Sequence, residues 1–345
     1  MPLFRRRSGG EGAQDRAGWR GFGFGRRGAG SPEAAGGAAP RLDPAHGDES
    51  VRLALSQAAA GDWAALRPAL AAAEDGPALT FLAGAIADVR GVEEWTGRAL
   101  ADTPEDPYAL LLSGARHVTW AWEARSRAQA KHVGEEQWKL FHQRLDVAEE
   151  RLLAAAEHEP SWLAPWYFLQ ISARGASLDP EVATCRFEAA VRRAPGHPDS
   201  HRQRLQQLCA KWGGSHEEMH AFARSAMLAA PEGSELGELV ALAHLEHWLD
   251  LPDGEDRAHL TSPAVVAELQ EAAFRSVLHP DFRQVRGWQG SFNTFAMVFS
   301  LAGQRKTARL LFDALDGAVT ESPWHYLAGD PAKTFRAHRD RCAGY

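Results

Sequence analysis

The chain has 345 residues, 45% hydrophobic and 24% charged, with a formal net charge of −7. That is enough apolar mass for a full core, and an acidic balance argues against nucleic acid as the main partner. No apolar run reaches the roughly 18 residues of a membrane span. The basic start, Met1-Pro2-Leu3-Phe4-Arg5-Arg6-Arg7, lacks the apolar stretch of a secretory signal.

Residues 1–47 carry eight arginines against four acids, so the remaining chain must carry −11. This segment also holds 12 of the 32 glycines, and it is expected to be a disordered, solubilising basic tail. From Asp48 the sequence is nearly continuous helix, broken by Gly, Pro and Asp. The first expected helices span 49–60, 62–73 (Asp62 as N-cap), 77–88 and 92–101. Two longer ones, 107–133 and 135–157, turn at Gly134 and should form a hairpin that overhangs its neighbours. After it come the clearest repeats, 161–250. A helix over 234–250 leads into a loop at 251–256, then come a helix over 263–278 and a hairpin over 288–317 turning at Gly303. A polar capping helix spans 330–342. Strand alternation is scarce, so residues 48–345 are expected to be all-α.

Pro160, Pro195 and Pro231 are spaced 35 and 36 residues apart, and each closes a helix of the same pattern. Five residues before each proline stand Ala155, Ala190 and Ala226. Eight before stand Leu152, Phe187 and Ala223, and twelve before stand Ala148, Ala183 and Met219. A period of this length marks a helix-turn-helix array, in which each unit buries its apolar face by stacking on the next. The unit after Pro160, with Trp166, Leu169, Ala183, Phe187, Ala190 and Pro195, resembles the tetratricopeptide pattern. So does Leu301-Ala302-Gly303-Gln304-Arg305-Lys306-Thr307-Ala308-Arg309-Leu310-Leu311-Phe312. The units depart from it at His201, which stands at an aromatic position, and after Pro231, where a large residue is missing. Cys209-Ala210-Lys211-Trp212-Gly213-Gly214-Ser215-His216-Glu217-Glu218-Met219, with His117-Val118-Thr119-Trp120-Ala121-Trp122, resembles an uncharacterised bacterial family of tetratricopeptide-like proteins, over most of residues 50–250. The resemblance implies a right-handed superhelical array of antiparallel hairpins and brings no activity with it.

In such arrays the first helix of each unit lines the concave face. Registering the units by their prolines puts Tyr167, Arg174, Arg202, Gln206 and Glu238 there. That set suits a non-catalytic scaffold or adaptor holding a protein or peptide through Arg–carboxylate contacts, without a cofactor. Arg116 and Trp120, one turn apart, could add a cation–π pair on the long hairpin.

Two other readings stay open. His216-Glu217-Glu218-Met219-His220 has the H-E-x-x-H form of zinc hydrolases, with Glu238, His244, Glu246 or His247 available as a third ligand. Against it, Ser215 and Glu218 form a capping box that puts His216 in the first helical turn. The loop at Lys211, Trp212 and Ser215 could instead form a small-molecule or anion site. There Gly213-Gly214 would let a partner approach, although they also suffice simply to turn the chain. Cys185, Cys209 and Cys342 are odd in number with no short paired spacing, which fits a reducing compartment and a cytoplasmic protein. Cys185 and Cys209 are both expected on apolar helix faces.

Overall fold

A computed structural model of the chain describes residues 38–125 and 133–343. Among these residues stand sixteen α-helices: α1 (Glu49–Ala60), α2 (Trp63–Ala71), α3 (Gly76–Ala87), α4 (Val92–Asp102), α5 (Pro107–Arg125), α6 (Glu135–His158), α7 (Ala164–Gly175), α8 (Pro180–Arg193), α9 (Pro198–Leu208), α10 (His216–Ala229), α11 (Glu238–Asp250), α12 (Glu255–Thr261), α13 (Pro263–Arg275), α14 (Gln289–Leu301), α15 (Arg305–Leu315) and α16 (Pro331–Cys342). The all-α expectation holds. No described helix is long and apolar enough to cross a membrane.

The starts of these helices follow from short polar side chains that satisfy amides with no partner inside the helix. Asp48, Asp62, Asp75, Asp179, Ser215, Ser262 and Asp330 each accept from a first-turn N–H. Helix α12 falls partly on a stretch expected to be loop, starting right after Gly254, whose φ is +94°.

The proline register predicts burial well. Ala148, Ala183 and Met219 are buried, as are Leu152 and Ala223, and Ala155 and Ala190. Helices α6, α8 and α10 form an outer layer. Their partners α5, α7, α9 and α11 form an inner one, extended by α3 and α14. An inner helix is covered on several sides, and every residue of α7 except Trp166 is buried, including the polar Gln170, Ser172 and Arg174 that follow its apolar first half. Cys185 departs from expectation. It lies on the outer face of α8 and is exposed, one position off the buried Ala183–Arg186–Ala190 stripe.

The described part of the long hairpin packs on its neighbour α7. Phe141 and Leu145 of α6 and Trp122 of α5 close over Gly175, where an added Cβ would lie 3.0 Å from Phe141 and Leu145. The last turns of the helix expected over 107–133, residues 126–132, fall outside the described residues.

The largest departure concerns the ends. Residues 38–47, counted with the tail in the sequence, belong to the folded body. Strand β1 (Arg41–Leu42) pairs in parallel with β2 (Ala318–Val319), and Ala45 is buried. Arg339 donates to the Ala38 carbonyl at 3.0 Å, Gln289 donates to the His46 carbonyl at 3.0 Å, and Arg286 donates to Asp48 at 2.8 Å. The two ends of the array therefore meet, and α16 caps a closed assembly rather than an open one. Two apolar cores result, one from Ala45 to Ile171 and one from Leu205 to Cys342, with Trp212 packed against both.

Candidate functional sites: an enclosed chamber and a histidine cluster

Closing the array turns its concave face into a chamber of about 1090 Å³. Small and apolar residues of α2 and α3, among them Ala69, Pro77, Phe81 and Ala85, form one wall. Tyr167, Arg174, Arg202, Gln206, Glu238 and Leu242, from α7, α9 and α11, form the opposite one, and Leu42, Arg286 and Tyr326 come from segments outside the α-helices. All five residues assigned to the concave face by register thus reach the same space, together with Lys211 and Trp212.

Their charges are already engaged. Arg202 bonds Asp199 at 2.5 Å and grips Glu238 through two nitrogens, Nε at 2.9 Å. Glu238 also accepts from Thr294 at 2.6 Å and Ser291 at 3.0 Å. Burial works against the Arg202 charge, but these carboxylates outweigh it and hold the guanidinium above its ordinary value. Lys211 Nζ meets Glu246 at 2.6 Å, and Glu246 also accepts from the Tyr326 hydroxyl at 2.6 Å and from Gln206. Burial pushes Glu246 up, yet Lys211 and the two other donors leave it below the usual carboxylate range. Arg174 donates to Gln203 Oε1 at 2.8 Å and lies over the Trp212 ring, its pKa lowered by burial to about 10.

The arginines expected to await a partner's carboxylates are therefore held by the protein itself, and the lysine of the expected anion loop is neutralised. Counted around the lining, nine carboxylates face five cationic side chains.

The loop itself is explained by packing. Gly213 adopts φ +93°, and a Cβ on Gly214 would stand 2.1 Å from the Leu208 carbonyl oxygen. Trp212 meets Trp122 edge-on at 6.0 Å, filling the gap between hairpins. Ser215 lies outside the chamber lining and caps α10, accepting from the Glu218 amide at 3.1 Å while donating to its carboxylate at 2.9 Å. Arg116 is 1% exposed, tied to Glu93 at 2.7 Å and Glu123 at 2.8 Å. Trp120 is half-buried, with Arg116 at 5.9 Å and Arg144 at 3.6 Å from its ring centre. These two form a structural network away from the chamber.

The second site begins from the same helix, α11. Residues 238, 242, 246 and 249 follow a helical stripe towards the chamber, whereas His244 and His247 lie on the opposite side. So of the four expected third ligands, Glu238 and Glu246 point away from His216 and His220, and the two histidines join them. His259 on α12 completes the group, a residue that reading 251–256 as a loop gave no reason to select.

His216 stacks on His247 with ring centres 4.0 Å apart. His220 and His244 lie 4.6 Å apart, and His247 and His259 4.3 Å. His220 Nε2 faces His247 Nδ1 at 3.3 Å, and His244 Nδ1 faces His259 Nε2 at 3.1 Å. Glu268 meets His244 Nε2 at 3.1 Å, and Asp250 meets His216 Nε2 at 3.5 Å. Burial first, and then the neighbouring imidazoles, lower His244 to about 3 and His220 and His247 to about 4. At neutral pH these three rings are uncharged. Glu217, the base expected of a hydrolase, is exposed in the first turn of α10.

No protein-family model matches the chain, and no curated protein matches it either.

Proposed function

We propose that this is a non-catalytic binding protein that encloses a compact, positively charged ligand, such as an amine, in the central chamber. The observation that carries the proposal is the chamber's composition: nine carboxylates against five cations, in a space walled by Phe81, Tyr167, Trp212 and Tyr326. Aromatic faces and excess carboxylates at low local dielectric attract a cation. The volume, about 1090 Å³, lies just above the roughly 300–1,000 Å³ range of small-ligand sites. A partner's short basic peptide end would meet the same chemistry, which is the form the adaptor reading takes in a closed array. We further propose that the array is tetratricopeptide-like and right-handed. The 35- and 36-residue spacing of its prolines and the alternation of inner and outer helices support that reading.

The test is a thermal-shift screen of compact amines and matched carboxylates, followed by calorimetry. Amines should bind at one per chain. Ala85→Trp, which fills the α3 wall, should abolish binding while the protein stays folded. Selective binding of the carboxylates would overturn the assigned sign, and amine binding undiminished in Ala85→Trp would move the ligand out of the chamber.

A further inference from the structure

The histidine cluster lies outside the chamber, across α11, and the ligand reading leaves it without a role. Packing alone does not ask for it: five imidazoles from three helices meet where apolar side chains would fill the same space. Their nitrogens are arranged in two facing pairs, His220 Nε2 with His247 Nδ1 at 3.3 Å and His244 Nδ1 with His259 Nε2 at 3.1 Å. Two nitrogens bound to one tetrahedral zinc, each at ~2.0–2.1 Å, stand roughly 3.3–3.4 Å apart. Each pair already has about that spacing. The pairs are neighbours, since His220 lies against His244 and His247 against His259.

The carboxylates complete the pattern. Glu268 faces His244 Nε2, so that nitrogen carries the proton and Nδ1 presents its lone pair towards His259. His216 stacks on His247 and faces Asp250, in position to hold the His247 ring in place. His247 and His259 are only half-buried, which leaves an entry path.

We propose that His220, His244, His247 and His259 form a four-nitrogen site for an imidazole-preferring transition-metal dication of the zinc type, with Glu268 orienting His244. Among the described residues no three donors converge on one point as the rings stand. Metal entry therefore turns the two pairs towards each other about their side-chain torsions. A site with four protein nitrogens has no open coordination position, and the site is structural, tying α10, α11 and α12 together.

The experiment uses untagged full-length protein stripped with a chelator and titrated with zinc against a chromophoric competitor. One zinc per chain is expected. His220→Gln with His244→Gln should weaken it by more than about 100-fold, beyond the ~10–100-fold of second-sphere changes, while His117→Gln with His142→Gln leaves it unchanged. Cobalt(II) should give the intense visible bands of a tetrahedral site. Should the double variant fail to fold, imidazole NMR of the unmodified protein decides. Zinc must shift the ring signals of His220, His244, His247 and His259 and spare His117, His142 and His325. Absence of saturable binding, binding that survives the double substitution, or zinc shifts confined to other histidines would overturn the site.

Discussion

The two faces of α11 bury polar groups by opposite means. Towards the chamber, Glu238 and Glu246 are met by the cations of Arg202 and Lys211, and Glu246 is held below the usual carboxylate range. Away from it, His220, His244 and His247 stay neutral, because burial first and then the neighbouring imidazoles disfavour the charged form. A network of opposite charges is vulnerable to losing a member. A cluster of like groups is vulnerable to a change of solution conditions.

The largest expected effect comes from breaking the charged side. Glu238→Ala leaves a buried guanidinium short of its main partner and should cost about 3 kcal/mol, the low end of the ~3–5 kcal/mol for a broken buried pair, because Asp199 remains. Urea denaturation measures it, and a loss under about 1 kcal/mol would mean that Asp199 and Glu235 suffice.

Acid should act on the other side by a comparable amount. In the unfolded chain these rings titrate near 6.5, and in the fold at about 3 to 4. Between those values the unfolded state binds more protons, so stability is full above about pH 6.5 and is lost as pH falls towards 4. For the buried His244 alone the loss is on the order of 3 kcal/mol, at ~1.4 kcal/mol per pH unit. Metal-free protein melted across this range should show the fall, and His244→Gln should flatten it. A slope identical in that variant would place the acid sensitivity elsewhere.

Trp212 tests whether the chamber wall also joins the cores. Its half-buried ring packs on both, and Trp212→Ala should cost about 2 kcal/mol, less than the ~3–5 kcal/mol of a fully buried ring. Two separate melting transitions in the variant would sharpen the point. The smallest effect is expected of Ser215→Ala, about 1 kcal/mol for a lost cap. It should loosen His216 at the start of α10 and leave the chamber contacts of Arg202 and Glu246 intact.

Much of the fold was legible because its causes are local. Asp62 caps the helix it was expected to open, the helices expected from 49 and near 330 start beside Asp48 and Asp330, and the proline register placed Ala148, Leu152 and Met219 inside. It also put Tyr167, Arg174, Arg202, Gln206 and Glu238 on one surface. What it could not convey is that this surface is closed. Closure rests on Arg41–Leu42 meeting Ala318–Val319, two short segments with no pattern of their own, the first of them in a glycine-rich stretch whose composition suggested tail. His216 and His220 were visible as a spaced pair, but His259 was hidden by the Pro252-Asp253-Gly254 turn signal before it.

The meeting of the ends changes what kind of cooperative system this is. In a linear array each unit leans only on its neighbours, so terminal units fray and partial structures persist. Joining residues 38–48 to the segments around Arg286, Val319 and Arg339 ties the two ends of the described array together, and opening at any one interface is resisted by all the others. The ring also closes only after the segment around Val319 has been made, so an emerging chain passes through a long open stage. A ligand in the chamber would touch both sides of the closure, Leu42 and Val319, at once and stabilise the ring by mass action, acting as a latch on a circular array.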